Sequence, residues 1–499
     1  MDVNDIGIAL LRGLFASLPF GAALALGVML PLAVAGLASV TGRLSPSTRA
    51  LVIVGSLVLG SALSVAFSGR TLYSDAELVR NPYLALALQT QSGLSIRISQ
   101  LFTLVSLLVS AAEIFRCIGA SINILSPVSK LWLAFLLFNF VSVGLAGVFG
   151  EFRSPDLKYI YFIIVFSGIS SIASEINFEF WRRLRWLMLV PSAGSLLCMA
   201  VAPKTVLLSD YSAFIPGLHS RLFGLSEHAN GIGILAAAAL VIEFSAVVRK
   251  NPSVVMALLH ILVLILAQSK TAWIAAFVVL VIVRWRWMTS SGFNENKWRR
   301  QMWIVVIGLF FAALIIALLL MAASSKSLTN ALEAKSVFTL TGRFRIWQLT
   351  IIEFFRHPIL GYGPSLWDIK FRMERGIPFA GQAHNQFVQV LGQAGVLGLL
   401  SMLIYLARIS RMVVGSVSAD HGLGLALFVL LLARCVTESP LRINGIMGWE
   451  NILHLLVLVA AASGAAKLNS SSEMDESYPN GGASKRGKAS VFGRPQLRC

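Results

Sequence analysis

Charge is scarce in this sequence. Of its 499 residues only 13% are Asp, Glu, Lys or Arg, while 57% are hydrophobic and the mean hydropathy is +0.78. A typical soluble domain carries about a quarter charged residues, so a soluble globular chain is excluded. Acidic residues are the scarcer sign, 23 against 41 Lys and Arg, for a formal net charge of +18. In a soluble protein that balance points to nucleic acid. Here the basic residues sit between long apolar runs, so the excess reports membrane topology and no nucleic-acid partner. Cysteine is sparse and scattered (Cys117, Cys198, Cys435 and Cys499). Without a CxxC, neither a disulfide scaffold nor a cysteine zinc site is encoded. There is also no Walker loop, no GxGxxG between strand and helix, no HExxH and no carboxylate cluster. The sequence therefore calls for no metal and no cofactor. It lacks a clear internal repeat of the kind that marks many transporters.

What it has in abundance is apolar runs. A spanning helix needs about 20 mostly apolar residues, from ~1.5 Å rise per residue across a ~30 Å hydrocarbon core. Candidate spans fall near 14–40, 50–67, 98–118, 130–149, 157–175, 183–202, 229–248, 253–268, 270–288, 302–323, 386–407, 422–438 and 449–466. The best count is about 13, within a range of ~11–14. The first run is too long for a signal-peptide core and reads as an anchor. Backbone groups in lipid must be satisfied internally, so the expected fold is all-α, a polytopic transmembrane helical bundle. Residues 1–466 form one membrane domain. Residues 467–499, rich in Ser, Gly, Lys and Arg, read as a disordered cytoplasmic tail.

Basic loops orient the C-terminal half. Arg249 and Lys250, then Arg284, Arg286, Lys297, Arg299 and Arg300, then Arg408 and Arg411 belong on the cytoplasmic side. Alternation then puts 203–228, 324–385 and 439–448 on the outer side. The longest of these breaks the pattern. Between Ser324 and His384 stand eight basic residues (Lys326, Lys335, Arg343, Arg345, Arg356, Lys370, Arg372, Arg375) and four acidic ones, a net +4. A long translocated loop escapes the positive-inside rule, but outward-facing cations also suit an anionic substrate. The loop carries folding signals. Trp347, Ile351, Phe354 and Phe355 recur at helical spacing, Pro358 ends the run, and a second short helix is expected from Pro364 to near Gly376. Both have an apolar stripe suited to the membrane interface, making a lid-like layer over the bundle.

Several residues here can carry chemistry. His384 stands beside Asn385 at the start of a spanning helix, where the helix N-terminus disfavours an imidazolium and a neutral ring can take a proton from a hydroxyl. Arg343 and Arg345 begin the loop helix, and a guanidinium grips phosphate oxygens in pairs at any pH. Lying two apart, they cannot share a face; Arg343 shares a stripe with Trp347 and points inward. Arg221, Glu227, His228 and Asn230 cluster before the span at 229. Lys270, between two apolar runs, is costly there unless it meets an anion or water. The alternative for each is structural: a cap, a headgroup contact or a snorkelling side chain. Glu113, Glu243, Arg434 and Glu438 also fall within or near spans, but scattered as they are they make no relay.

RLFGLSEHANGIG, SKTAW, TGRFRIWQLTIIEFFRHPILGYGPSLWD and AHNQFVQVLGQAGVLGLL follow one another in that order. Together they resemble the O-antigen ligase and polymerase family, which includes exopolysaccharide polymerases and protein oligosaccharyltransferases. The likeness is best over about 215–405. It implies a metal-independent, inverting glycosyltransferase in the bacterial inner membrane, acting at the periplasmic face. The donor would be a glycan on undecaprenyl diphosphate; the acceptor, another glycan or lipid A core. By the same resemblance His384 matches the histidine proposed to activate the acceptor hydroxyl. Arg221 and Arg343 match arginines that hold the diphosphate, and Arg345 and Lys270 are expected to bind it with them. Lys270 occupies a position that is often Arg. Two other readings stay open: a transporter or flippase, should Glu113, Glu243 and Arg434 face one water-filled path, and a non-catalytic assembly protein.

Overall fold

The computed structural model describes residues 34–73, 92–118, 126–150, 157–209, 219–245, 253–289, 340–377 and 380–476. Over these the chain is an all-α polytopic bundle. The helices are α1 (Pro46–Ala66), α2 (Gly93–Ile118), α3 (Pro127–Phe149), α4 (Leu157–Ile172), α5 (Phe178–Val201), α6 (Ala229–Phe244), α7 (Val254–Leu266), α8 (Lys270–Thr289), α9 (Leu340–Arg356), α10 (Ile369–Glu374), α11 (Gln386–Gly415), α12 (Leu423–Thr437) and α13 (Trp449–Glu476). Among the described residues seven helices are long and apolar enough to cross a membrane, and four shorter apolar ones accompany them. Together they account for every expected span except 14–40 and 302–323. Those two lie outside the described residues, apart from a helical stretch at 34–42. The last helix runs on to Glu476, past the expected boundary at 466, and 477–499 lies outside the described residues.

Local chemistry sets the helix starts. Ser45 and Ser126 cap α1 and α3 with their hydroxyls and are each followed by proline, whose missing N–H costs nothing in a first turn. Asn177 caps α5 with its carboxamide oxygen, which accepts from Glu179 N. A helix apolar on all sides belongs in the middle of a bundle, and in α6 every residue from Gly231 to Glu243 is buried. Small residues allow close approach where apolar side chains gain little by leaving lipid: a Cβ on Gly168 of α4 would lie 2.6 Å from Ser110 of α2. Between α3, α4, α11 and α13, Phe135, Phe138, Phe162 and Phe166 enclose a buried hydrogen bond between Tyr405 and His454.

The segments expected on one side of the bundle do meet at one end, so far as they are described. There β1 (Leu207–Leu208) pairs antiparallel with β2 (Arg221–Leu222). Arg70, just beyond α1, donates to the carbonyls of Thr205, Gly224 and Ser226 at 2.9, 2.7 and 2.6 Å, pinning the approach to α6. Helices α9 and α10 form the lid, with a small core of Ile346, Leu366, Trp367, Phe371, Ile377 and Ala383. The second lid helix begins at Ile369, later than its expected start at Pro364. Trp367 has a left-handed φ of 70°, which interrupts the helix, and the Asp368 carboxylate caps the new start by accepting from Phe371 N at 2.8 Å.

The lid is stitched to a break in α11. Gly395 has φ 62°, and its Cβ, were it alanine, would lie 2.4 Å from the Ile359 backbone. The backbone groups freed there pair with the HPILGYG turn. Tyr362 and Gly363 donate to the carbonyls of Gly392 and Gln393 at 2.8 and 2.9 Å. Val396 and Leu397 donate to those of Pro358 and Ile359 at 2.9 and 3.2 Å. Beside the break, Gln393 Nε2 donates at 3.1 Å to the Ser142 carbonyl, which lies in the π-helical stretch Phe140–Leu145 of α3.

Candidate active site

Asn385 is the N-cap of α11; its carboxamide oxygen accepts from Phe387 N and Val388 N. His384 therefore sits one residue outside the helix, at the lid end of the bundle. Its φ is +50°, a conformation that costs a non-glycine residue roughly 1–2 kcal/mol. The flanking peptide is held from three directions. Ala383 N donates to Gln389 Oε1 at 2.9 Å, Trp347 Nε1 of the lid donates to Ala383 O at 2.8 Å, and Arg442 donates to the carbonyls of Gly381 and Leu366.

His384 Nδ1 lies 2.6 Å from Glu438 Oε2. Glu438 is buried at the C-terminal end of α12 and collects further donors: Gln382 Nε2 at 2.7 Å and Asn230 Nδ2 at 2.9 Å. Arg343 and Arg434 reach the same carboxylate at 3.7 and 3.8 Å. Burial alone would raise the Glu438 pKa. The hydrogen bond with His384 and the charge of Arg434 outweigh it and hold the carboxyl well below the usual carboxylate range. An ionised carboxylate only accepts, so Nδ1 of His384 is the donor in this bond.

Asn230 carries the network to a second cation. Its carboxamide oxygen accepts from Arg221 Nη2 at 2.9 Å while its amide donates to Glu438. Arg221 Nε also donates to Ala267 O at 2.9 Å, and Gln268 Nε2 donates to Ser220 O at 2.7 Å. These bonds seat the α7–α8 turn, and exposed Lys270 at its end, against β2. Arg343 Nη1 donates to Thr437 O at 3.3 Å, so the first turn of the lid helix rests on the end of α12. Arg345 is exposed and, among the described residues, makes no ion pair. Of the five predicted positions, His384, Arg221 and Arg343 join through Asn230 and Glu438, while Lys270 stands at the start of α8, three residues beyond the Ala267 carbonyl that Arg221 holds.

Glu227 and His228 precede Asn230, each surrounded by protein with part of its surface open to water, and His228 lies near Arg221, Glu438 and His384. Burial, then the neighbouring Glu450 carboxylate, raises the Glu227 pKa. Burial, then the Arg221 cation, lowers that of His228 to about 4. The neutral His228 ring accepts from Asn230 N at 3.1 Å, capping α6.

Glu438 is the residue that the sequence reading passed over. It stands 54 residues from His384, so only the fold brings the two together. A local signal existed in the i, i+4 pairing of Arg434 with Glu438. The other two charges grouped with them lie elsewhere. Glu113 pairs with Arg49 and Arg116, and Glu243 with Arg185. Glu243 is 13 residues down α6 from Asn230, about 20 Å at 1.5 Å per residue. Glu113, Glu243 and Arg434 thus pair with different partners among the described residues, Arg434 with Glu438 and Glu450. Among the described residues no group of three or more His, Cys, Asp or Glu side chains suits a metal ion.

Residues 255–403 match the family model described as O-antigen ligase. The match spans the α7–α8 turn, the lid, His384 and the break in α11. It supports that family for this chain, and with it a multi-pass membrane glycosyltransferase of the ligase or polymerase type. No curated protein matches the chain.

Proposed function

With the O-antigen ligase family as premise, we propose that this chain transfers a glycan from undecaprenyl diphosphate to an acceptor hydroxyl, without metal and with inversion, at the periplasmic face of a bacterial inner membrane. The observation that carries the proposal is the hydrogen bond between His384 Nδ1 and the ionised Glu438, with Arg221 and Arg343 tied to the same carboxylate network. His384 Nε2 takes the acceptor O–H proton. The acceptor oxygen attacks the anomeric carbon, and the bond from that carbon to the diphosphate oxygen breaks on the opposite face. Glu438 stabilises the imidazolium that forms and keeps the ring in the productive tautomer, the role a buried carboxylate plays beside any histidine base.

The departing polyprenyl diphosphate needs no proton, but its charge grows in the transition state. Arg221 and Arg343 are assigned to that charge, with Lys270 at the start of α8 supplying a point charge rather than a fork. Arg345, exposed and without an ion pair among the described residues, is assigned to water or lipid headgroups. The acceptor is another glycan for a polymerase and lipid A core for a ligase. The test is substitution: Arg221→Ala, Arg343→Ala and His384→Ala each abolish transfer while the protein accumulates at wild-type level. Near-normal activity in His384→Ala removes the base assignment.

A further inference from the structure

The outer side of the lid carries an apolar stripe that no part of the described chain covers. Ile352, Phe355 and Ile359 follow one another at helical spacing along the end of α9 and the turn after it; Phe355 is 73% and Ile359 64% exposed. The stripe does not stand alone. Ile359 O accepts from Leu397 N, and at that point α11 changes character. From Gln386 to Gly395 α11 presents no exposed large apolar side chain. From Val396 onward Val396, Leu397, Leu400, Leu403 and Ile404 are all exposed, a face made for lipid. Helix α11 has 30 residues, about 45 Å at 1.5 Å each, against a hydrocarbon core of ~30 Å. The 20 residues from Val396 to Gly415 span that core alone, so the Gly395 break marks its boundary on the lid side.

We infer that the bilayer leaflet on the lid side is the partner of this stripe, and that the end of α9 sits at the edge of its acyl region beside α11. Backbone pairing agrees. A turn placed against lipid must satisfy its polar groups within the protein, and the 358–363 turn does so through its bonds to residues 392–397. Charge agrees as well. Between Arg343 and Arg375 six cations stand against three carboxylates, and Arg356, next to Phe355, is half-exposed with a stem long enough to reach headgroup phosphates. The stripe is continuous with the lipid face of α11, so lipid covers it; a second protein seated there would have to share that face with the bilayer. The lid is thereby held at both ends: Arg343 on the end of α12, about 18 Å and 12 residues along α9 from Phe355 in the leaflet. The inference is independent of the catalytic reading.

Spin-label accessibility tests it on the full chain in nanodiscs of phosphatidylethanolamine and phosphatidylglycerol. Cys117, Cys198 and Cys499 are replaced by serine, and buried Cys435 is left in place. Nitroxides at Phe355→Cys and Ile359→Cys are compared with Leu400→Cys on the lipid face and Arg345→Cys, exposed at the start of α9. These positions are exposed, so labelling leaves the core intact. Labels at 355 and 359 should collide with oxygen several-fold more than with a water-soluble nickel chelate, as at 400. Nickel accessibility like that at 345 overturns the inference. So does protection from both reagents, which would put a protein contact, such as a second copy, on the stripe.

Discussion

Replacing Glu438 by Gln keeps the side-chain shape and removes its charge. Glu438 accepts from His384, Gln382 and Asn230 at 2.6, 2.7 and 2.9 Å. Glutamine offers one carbonyl oxygen and an NH2. If the oxygen faces His384, the NH2 opposes the Asn230 amide; in the other orientation it opposes His384 itself. Either way the charge-assisted bond that orients the imidazole is weakened or lost. Such bonds contribute about 1.5–3 kcal/mol, and each 1.36 kcal/mol is tenfold in rate. Glu438→Gln should therefore lower kcat roughly 10- to 150-fold, with little change in the donor KM, because Arg221, Arg343 and Lys270 stay in place. Glu438→Asp, which keeps the charge and retreats by one methylene, should recover part of the loss. The assay is initial-rate transfer by purified protein at saturating donor. Wild-type kcat in Glu438→Gln would refute the orienting role, and a loss appearing only in KM would move Glu438 to substrate binding.

Four further outcomes follow from the same geometry. Arg343→Ala should abolish transfer while Arg345→Ala, outside the network, leaves most of it; equal losses would show that the lid helix is rotated from the orientation described. Gly395→Ala and Gly361→Ala both force a Cβ to 2.4 Å from backbone at positive φ, so each should lower thermal stability by more than about 1 kcal/mol, read as Tm in detergent. His228 has a folded pKa lowered from 6.5 to about 4. The unfolded chain then binds more protons between those values, and stability should rise with pH from about 4 to 6.5; His228→Gln should flatten that slope. Glu438 has its folded pKa depressed, so its contribution is present above the ordinary carboxylate value and is lost as pH falls below about 4.3. An acid unfolding curve that Glu438→Gln leaves unshifted would contradict this.

The bundle was legible because hydropathy is local: each expected span that falls on described residues is a helix, and the lid helix at 340–356 follows from the spacing of Trp347, Ile351 and Phe354. His384 and Arg343 stood out locally, one beside a capping asparagine, the other on the stripe it shares with Trp347, but their proposed roles came from the family resemblance. Glu438 was not, because a charge near a span says nothing of its partner until the fold supplies it. Asn230 was seen as a cluster member, but its bridge from Arg221 to Glu438 depends on α6 and α12 ending side by side. The later start of α10 turned on Trp367 adopting a left-handed φ, which no helix propensity predicts. The pairing of HPILGYG with a broken α11 was hidden in the same way, although Gly361 and Gly395 were both on view.

The most direct test of the central claim uses purified protein in detergent, an undecaprenyl diphosphate-linked oligosaccharide from the source organism, EDTA, and His384→Ala as control. Products are sized with and without lipid A core. The account predicts glycan transfer by the wild type and none by the variant: chain growth from donor alone identifies a polymerase, and transfer only with lipid A core a ligase. Intact donor in every reaction, or equal transfer by His384→Ala, would contradict it.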